Sequence, residues 1–133
     1  VGPHFEQVCR EWARWHASPA THGGQVTRVA SGTVNDPAAK SSHEVDVAVH
    51  GETDSGRGTL LAIGEAKWND VMGKSHLERL QHIRALLTAR GTATDVTRLQ
   101  CYSGTGFTHE LRHLAENDPA IQLIDPVRLY HGD

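Results

Sequence analysis

The chain has 133 residues, long enough for one hydrophobic core and short for two domains. Thirteen Lys and Arg stand against 16 Asp and Glu, with 10 His, for a formal net charge of −3; this balance argues against an autonomous, tight nucleic-acid binder, whose phosphate contacts usually need a basic surface. No run approaches the ~20 apolar residues of a membrane-spanning helix and no signal-peptide pattern opens the chain, so the expectation is a cytoplasmic protein without a membrane partner.

The chain begins Val1-Gly2-Pro3 rather than with Met, which suggests a fragment of a longer protein, read here as a single domain over residues 1–133. Phe5 to His16 reads as a helix: Phe5, Val8, Cys9 and Trp12 recur at three- and four-residue spacings, and Pro3 suits a helix start. Glu6 lies beside that apolar stripe, where a first-turn carboxylate is also favoured by the helix dipole. Ser18-Pro19 and His22-Gly23-Gly24 end the helix, and Gln25 to Val34 reads as a strand closed by the turn Asn35-Asp36-Pro37.

Ser42 to Val49 is a second strand, with Val45, Val47 and Val49 expected on one face and Asp46 on the other. A polar, Gly-rich loop, Gly51 to Gly58, leads to Leu60–Trp68, an apolar strand that ends in Glu65-Ala66-Lys67. Glu65 and Lys67 share a face with Leu61 and Ile63 if the strand alternates regularly. Pairing His50 with Leu61 would carry Asp46 opposite Glu65, with Cα atoms about 5 Å apart.

A helix follows from about Gly73 to Arg90, with a core stripe of Leu77, Leu80, Ile83, Leu86 and Leu87 and a stop at Gly91. Lys74, His76, Arg79, His82 and Arg84 fill its other faces, either as a solvated surface or facing phosphates. Asp95–Ser103 is a strand, Gly104-Thr105-Gly106 a turn, Thr108–Glu116 a helix capped by Thr108, Ile121–Ile124 a last strand and Pro126–Tyr130 a closing helical turn. The order α-β-β-β-α-β-α-β implies an α/β fold with a mixed sheet and helices on both faces. Cys9 and Cys101 lack metal-site or redox spacing and read as reduced core thiols.

Asp46, Glu65 and Lys67 suit phosphodiester hydrolysis. Two carboxylates could hold Mg²⁺ or Mn²⁺, with the Ala66 carbonyl as a further oxygen. A partly desolvated Lys67 could orient or deprotonate the attacking water, and Glu6 could complete the site if its helix crosses the strand mouths. The alternative is a strand-end salt bridge between Lys67 and one carboxylate.

In this order the chain resembles the PD-(D/E)xK nuclease superfamily, with its restriction-endonuclease-like core. More narrowly, it resembles the nuclease-like domain at the C-terminus of certain archaeal and bacterial P-loop ATPases. The resemblance rests on Phe5-Glu6, Glu44-Val45-Asp46-Val47, Gly64-Glu65-Ala66-Lys67-Trp68, Ser103-Gly104-Thr105-Gly106-Phe107-Thr108 and Leu123-Ile124-Asp125, and so covers nearly the whole chain.

It implies a three-layer α/β/α fold, with Asp46 and Glu65 as metal ligands, Lys67 as catalytic lysine and Glu6 as accessory acid. Gln81 is the one candidate for a helix glutamine that contributes in some relatives. DNA would be the substrate, an ATPase domain a possible partner in the full-length protein, and a homodimer possible. No G-x-x-x-x-G-K-[ST] occurs in this chain, and some members of such families are catalytically silent modules for DNA binding or regulation.

His109-Glu110-Leu111-Arg112-His113 also matches the H-E-x-x-H signature of zinc peptidases. The expected helix is short, Asn117-Asp118-Pro119 cuts it off, and positions 116 and 119 are Glu and Pro where the longer metzincin pattern needs Gly and His. In a His-rich chain the match reads as coincidence.

Overall fold

The structure is a computed structural model that describes residues 2–54 and 56–131. Helix α1 (Gly2–Glu11) continues into a π-helical turn, Trp12–His16, and a one-turn helix α2 (Pro19–His22) follows. Strands β1 (Gln25–Asp36), β2 (Ser41–Thr53) and β3 (Gly56–Lys67) form an antiparallel meander. Then come β4 (Val71–Met72), α3 (Lys74–Ala89), β5 (Arg98–Ser103), β6 (Gly106–Phe107), α4 (His109–Glu116), β7 (Ile121–Ile124) and α5 (Pro126–His131). The main sheet is mixed and five-stranded, in the order β1-β2-β3-β5-β7, with β5 parallel to both β3 and β7.

The sequence expectation of an α/β fold around a mixed sheet therefore holds, with local differences. The residues expected only to stop the first helix also build α2: Ser18 caps it, accepting from Thr21 N, Pro19 opens it, and Gly23 closes it in the left-handed region at φ 80°. Strands β2 and β3 run into the expected Gly51–Gly58 loop, of which Ser55 lies outside the described residues. The short strands β4 and β6 pair in parallel beside the main sheet, where the sequence carried too few residues to show periodicity.

Two apolar clusters cover the sheet. Phe5, Cys9, Trp12, Val47, Val49, Leu61, Ala62, Ala66, Tyr102 and Ile124 pack together under α1. Val45, Ile63, Leu77, Leu80, Ile83, Leu99, Cys101 and Leu111 pack together under α3 and α4. Both cysteines are buried and free, so the expected pair of core thiols is what the structure contains.

Of the register shifts in the meander, two bear on the site. Val49 pairs with Ala62 but His50 with Leu60, so Leu61 is an extra residue that turns to the α1 side while Ile63 stays on the α3 side. Ala30 pairs with Ala48 but Gly32 with Val45, so a second bulge falls at Asp46-Val47 and puts Val45 on the opposite face from Val47 and Val49. The expected shared faces of Leu61 with Ile63, and of Val45 with Val47 and Val49, are corrected accordingly. Among the described residues no helix is long and apolar enough to cross a membrane.

Candidate functional site

The ladder between β2 and β3 ends at Val47↔Gly64, although β2 starts at Ser41 and β3 continues to Lys67. The Leu61 bulge absorbs one residue of register, so the phase beyond it still directs Asp46 towards Glu65 even though His50 does not pair with Leu61. At this parting of the strands, Asp46 Oδ2 accepts the Ala66 N–H at 2.8 Å, a side chain taking the place of a ladder bond. The Asp46 bulge re-aims a side chain at a sheet opening, a frequent use of bulges. Helix α1 clamps it: Arg10 Nη1 donates to the Asp46 carbonyl at 3.0 Å, and Arg10 Nη2 donates to Gln7 Oε1 at 3.1 Å.

Glu65 is only 5% exposed, lying between Gly64 and Ala66 on β3 and beside Cys101 of β5. Its Oε1 is buried without a hydrogen-bond partner. Two cations stand just beyond hydrogen-bonding range, Arg79 Nε at 3.9 Å from Oε1 and Lys67 Nζ at 3.7 Å from Oε2. Burial raises the pKa of Asp46 above the ordinary aspartate value, partly opposed by the Ala66 N–H and by Lys67. Glu6 is also raised, first by burial and then by the charge of Asp46, which places it within the electrostatic reach of that carboxylate.

The segment after Lys67 is held from below. Gly104 N donates to the Lys67 carbonyl at 3.0 Å, Thr105 Oγ1 to the Trp68 carbonyl at 2.9 Å and Ser103 Oγ to the Asp70 carbonyl at 2.9 Å. Ser103 Oγ in turn accepts the N–H groups of Thr105 and Gly106. A Cβ on Gly104 would collide with the Trp68 ring and lie 2.7 Å from the Trp68 carbonyl, so only glycine permits this approach. Trp68 also packs on Phe5 of α1 with ring centroids 5.2 Å apart, which ties the Lys67 end of β3 to the helix that carries Glu6.

Of the residues expected at the site, Asp46, Glu65 and Lys67 therefore come together at the C-terminal end of β3, and Glu6 sits close enough to feel Asp46. The three acids do not draw into one tight trio of ligand atoms; among the described residues the one such group is Asp36, His43 and His82. Gln81 is not directed here: it lines a groove with Lys74, Leu77, Leu114 and Asn117. Arg79, one of several polar residues on α3, is the side chain of that helix that reaches Glu65. Arg10 gave no signal beyond lying one turn after Glu6, because its partner is a backbone carbonyl of the bulge. His109, Glu110 and His113 are exposed on an eight-residue helix, and no third ligand joins them among the described residues.

The donor set suits a hard divalent cation. Two carboxylates approach one opening, one with an oxygen buried and unbonded, and Mg²⁺ usually takes one or two carboxylates while keeping several waters. An orphaned buried carboxylate oxygen costs on the order of 1–3 kcal/mol, more when charged, unless a cation or water meets it. No protein-family model, no curated protein and no solved structure matches this chain.

Proposed function

We propose that this domain hydrolyses DNA phosphodiesters with a divalent metal, as a PD-(D/E)xK-type nuclease domain. The observation that carries the reading is Glu65 Oε1: a carboxylate oxygen buried without a hydrogen bond, with Arg79 3.9 Å away and Lys67 on the carboxylate's other oxygen, beside the opening that Asp46 lines. Such an arrangement is poor for stability and good for a ligand. Its place at the C-terminal ends of parallel strands agrees with where open α/β sheets take ligands.

In this reading Asp46 and Glu65 hold Mg²⁺ or Mn²⁺, which would polarise a phosphoryl oxygen and lower the pKa of a bound water. The Ala66 N–H fixes the Asp46 carboxylate, and Arg10 fixes the backbone that carries it. Lys67 orients the attacking water and takes up or releases its proton at Nζ. Arg79 faces Glu65 from α3 and is placed to meet a phosphate oxygen. Glu6, with a raised pKa, can keep a proton beside Asp46 at pH values where an ordinary glutamate has lost it. Trp68, 42% exposed directly after Lys67, offers a surface on which a base can stack.

The test is calorimetric titration of Mg²⁺ and Mn²⁺ into the wild type and Asp46→Ala, followed by DNA cleavage assays on Asp46→Ala, Glu65→Ala and Lys67→Ala. Metal uptake lost in Asp46→Ala, with cleavage lost in all three folded variants, supports the reading; cleavage equal to wild type in all three discards it. A second reading, a silent module for DNA binding or for regulating an attached P-loop ATPase, is favoured by the net charge of −3. That reading expects a folded wild type with neither metal uptake nor cleavage. Cutting both strands of a duplex would need two copies of the site, so a homodimer belongs to the nuclease reading.

A further inference from the structure

We propose a second cation site, specific for zinc-like divalent metals, formed by Asp36, His43 and His82. His43 Nε2 and His82 Nε2 both contact the same carboxylate oxygen, Asp36 Oδ2, at 3.2 Å and 2.8 Å. One ligand atom from each residue falls within a 4.8 Å span of the others. Four-coordinate zinc with bonds of ~2.0 Å places its ligand atoms about 3.3 Å apart, so the two contacts need to open by only a few tenths of an ångström.

Three elements build the site. Asp36 ends β1, opposite Ser41, and His43 lies two residues along β2, a diagonal neighbour on the same face. His82 comes across from α3. Asp36 has a side chain only 6% exposed, and its second oxygen accepts the Ala39 N–H at 3.3 Å, which points Oδ2 at the imidazoles. The two rings meet edge to face, centroids 5.3 Å apart and planes at 85°, so their Nε2 atoms converge from different directions.

Two imidazoles and one carboxylate are a ligand set that suits zinc and its neighbours, and three protein ligands leave a fourth position for water or a further ligand. A ligating carboxylate is ionised, and the metal would take the place of the Nε2 protons that now bridge both rings to Asp36 Oδ2. The imidazoles are neutral when they bind metal, with the remaining ring proton on Nδ1. This site is distinct from the Asp46 opening: it lies three residues, about 10 Å, back along β2. It would pin α3 to the β1–β2 hairpin one helical turn from Arg79.

The experiment titrates Zn²⁺ alone into the full chain by calorimetry, with melting followed in parallel. The wild type is expected to take one Zn²⁺ per chain tightly and to melt higher with it. His82→Ala and His43→Ala are each expected to weaken uptake by at least about 100-fold and to lose the rise in melting temperature. His82 is half exposed, so its truncation leaves the core intact. The double variant His109→Ala/His113→Ala is expected to bind Zn²⁺ like the wild type. Unchanged affinity in His82→Ala and His43→Ala, no uptake by the wild type, or loss in the His109/His113 control would overturn the assignment; in the first case Asp36 simply hydrogen-bonds two histidines.

Discussion

A buried glutamate with an unbonded oxygen sets function against stability at one position. In the free protein Glu65 bears the cost of desolvation, while Lys67 and Arg79 remain 3.7 Å and 3.9 Å away. Glu65→Gln keeps the shape and removes the charge. It should leave the metal-free domain as stable or up to about 1 kcal/mol more stable, while abolishing Mg²⁺ or Mn²⁺ uptake. Denaturant unfolding paired with calorimetry checks both halves; a clear loss of stability with binding retained would place Glu65 in the scaffold instead. His22 shows the reverse case, a titratable residue fully committed to the fold. Its Nε2–H donates to the Ala13 carbonyl at 2.9 Å and its Nδ1 accepts from Gln100 Nε2 at 3.0 Å, so the ring must be neutral. Burial lowers its pKa from the ordinary 6.5, and His50 is lowered in the same way. The unfolded chain therefore binds more protons than the folded one, and stability must fall as pH drops below 6.5, until the folded pKa is passed. Asp46 and Glu6, raised from 3.8 and 4.5, act in the opposite sense further down. Urea midpoints between pH 7.5 and 5 should decline in the wild type, and the decline should be shallower in His22→Gln, by up to about 1.4 kcal/mol per pH unit.

Two connections decide how the elements hold the site. The Ser103–Phe107 turn supports the residues after Lys67, and Gly104 does so at a distance that admits no side chain. Gly104→Ala should destabilise the fold by about 1–3 kcal/mol, the usual range for overpacking, and should reduce cleavage more than stability alone explains, because Trp68 moves with Lys67. Far-ultraviolet and thermal melts beside the cleavage assay separate the two effects; a neutral variant would show that the turn is not a support. The β1–β2 turn carries Lys40 in the left-handed region at φ 53°, closed by the Lys40 N–H to the Pro37 carbonyl at 3.2 Å. Lys40→Gly relieves that conformation and should gain about 0.5–1 kcal/mol, less the entropy glycine adds to the unfolded chain. The sequence announced this turn through Asn35-Asp36-Pro37 but not its consequence. That consequence is an Asp36 oxygen aimed at two histidines, 7 and 46 residues away in the chain.

At the scale of the whole molecule, what was legible followed from long periodic runs. The mixed sheet and the long helices α1 and α3 could be read because apolar residues recur at strand and helix spacing over many residues. Bulges at Leu61 and Asp46-Val47 were not legible: one extra residue reverses every later side chain yet leaves no compositional mark. Likewise, Asp46, Glu65 and Lys67 could be listed as neighbours because two of them share a strand, whereas Arg10, Arg79 and the Asp36 cluster depend on packing between distant segments. The same whole-molecule view bears on DNA. A net charge of −3 means that the cations near the opening, Arg10, Lys67 and Arg79, act against a field of opposite sign. Three or fewer phosphate contacts give a logarithmic salt slope of about −2 to −3 on duplex DNA, far shallower than that of a dedicated DNA-binding domain. Binding measured by fluorescence anisotropy from 20 to 200 mM salt should therefore be weak and lose only about two to three powers of ten over that range. Arg79→Ala should reduce the slope by close to one unit if its guanidinium meets a phosphate, and leave it unchanged if Glu65 keeps it. A steep slope in the isolated domain would instead locate a basic DNA surface away from this opening.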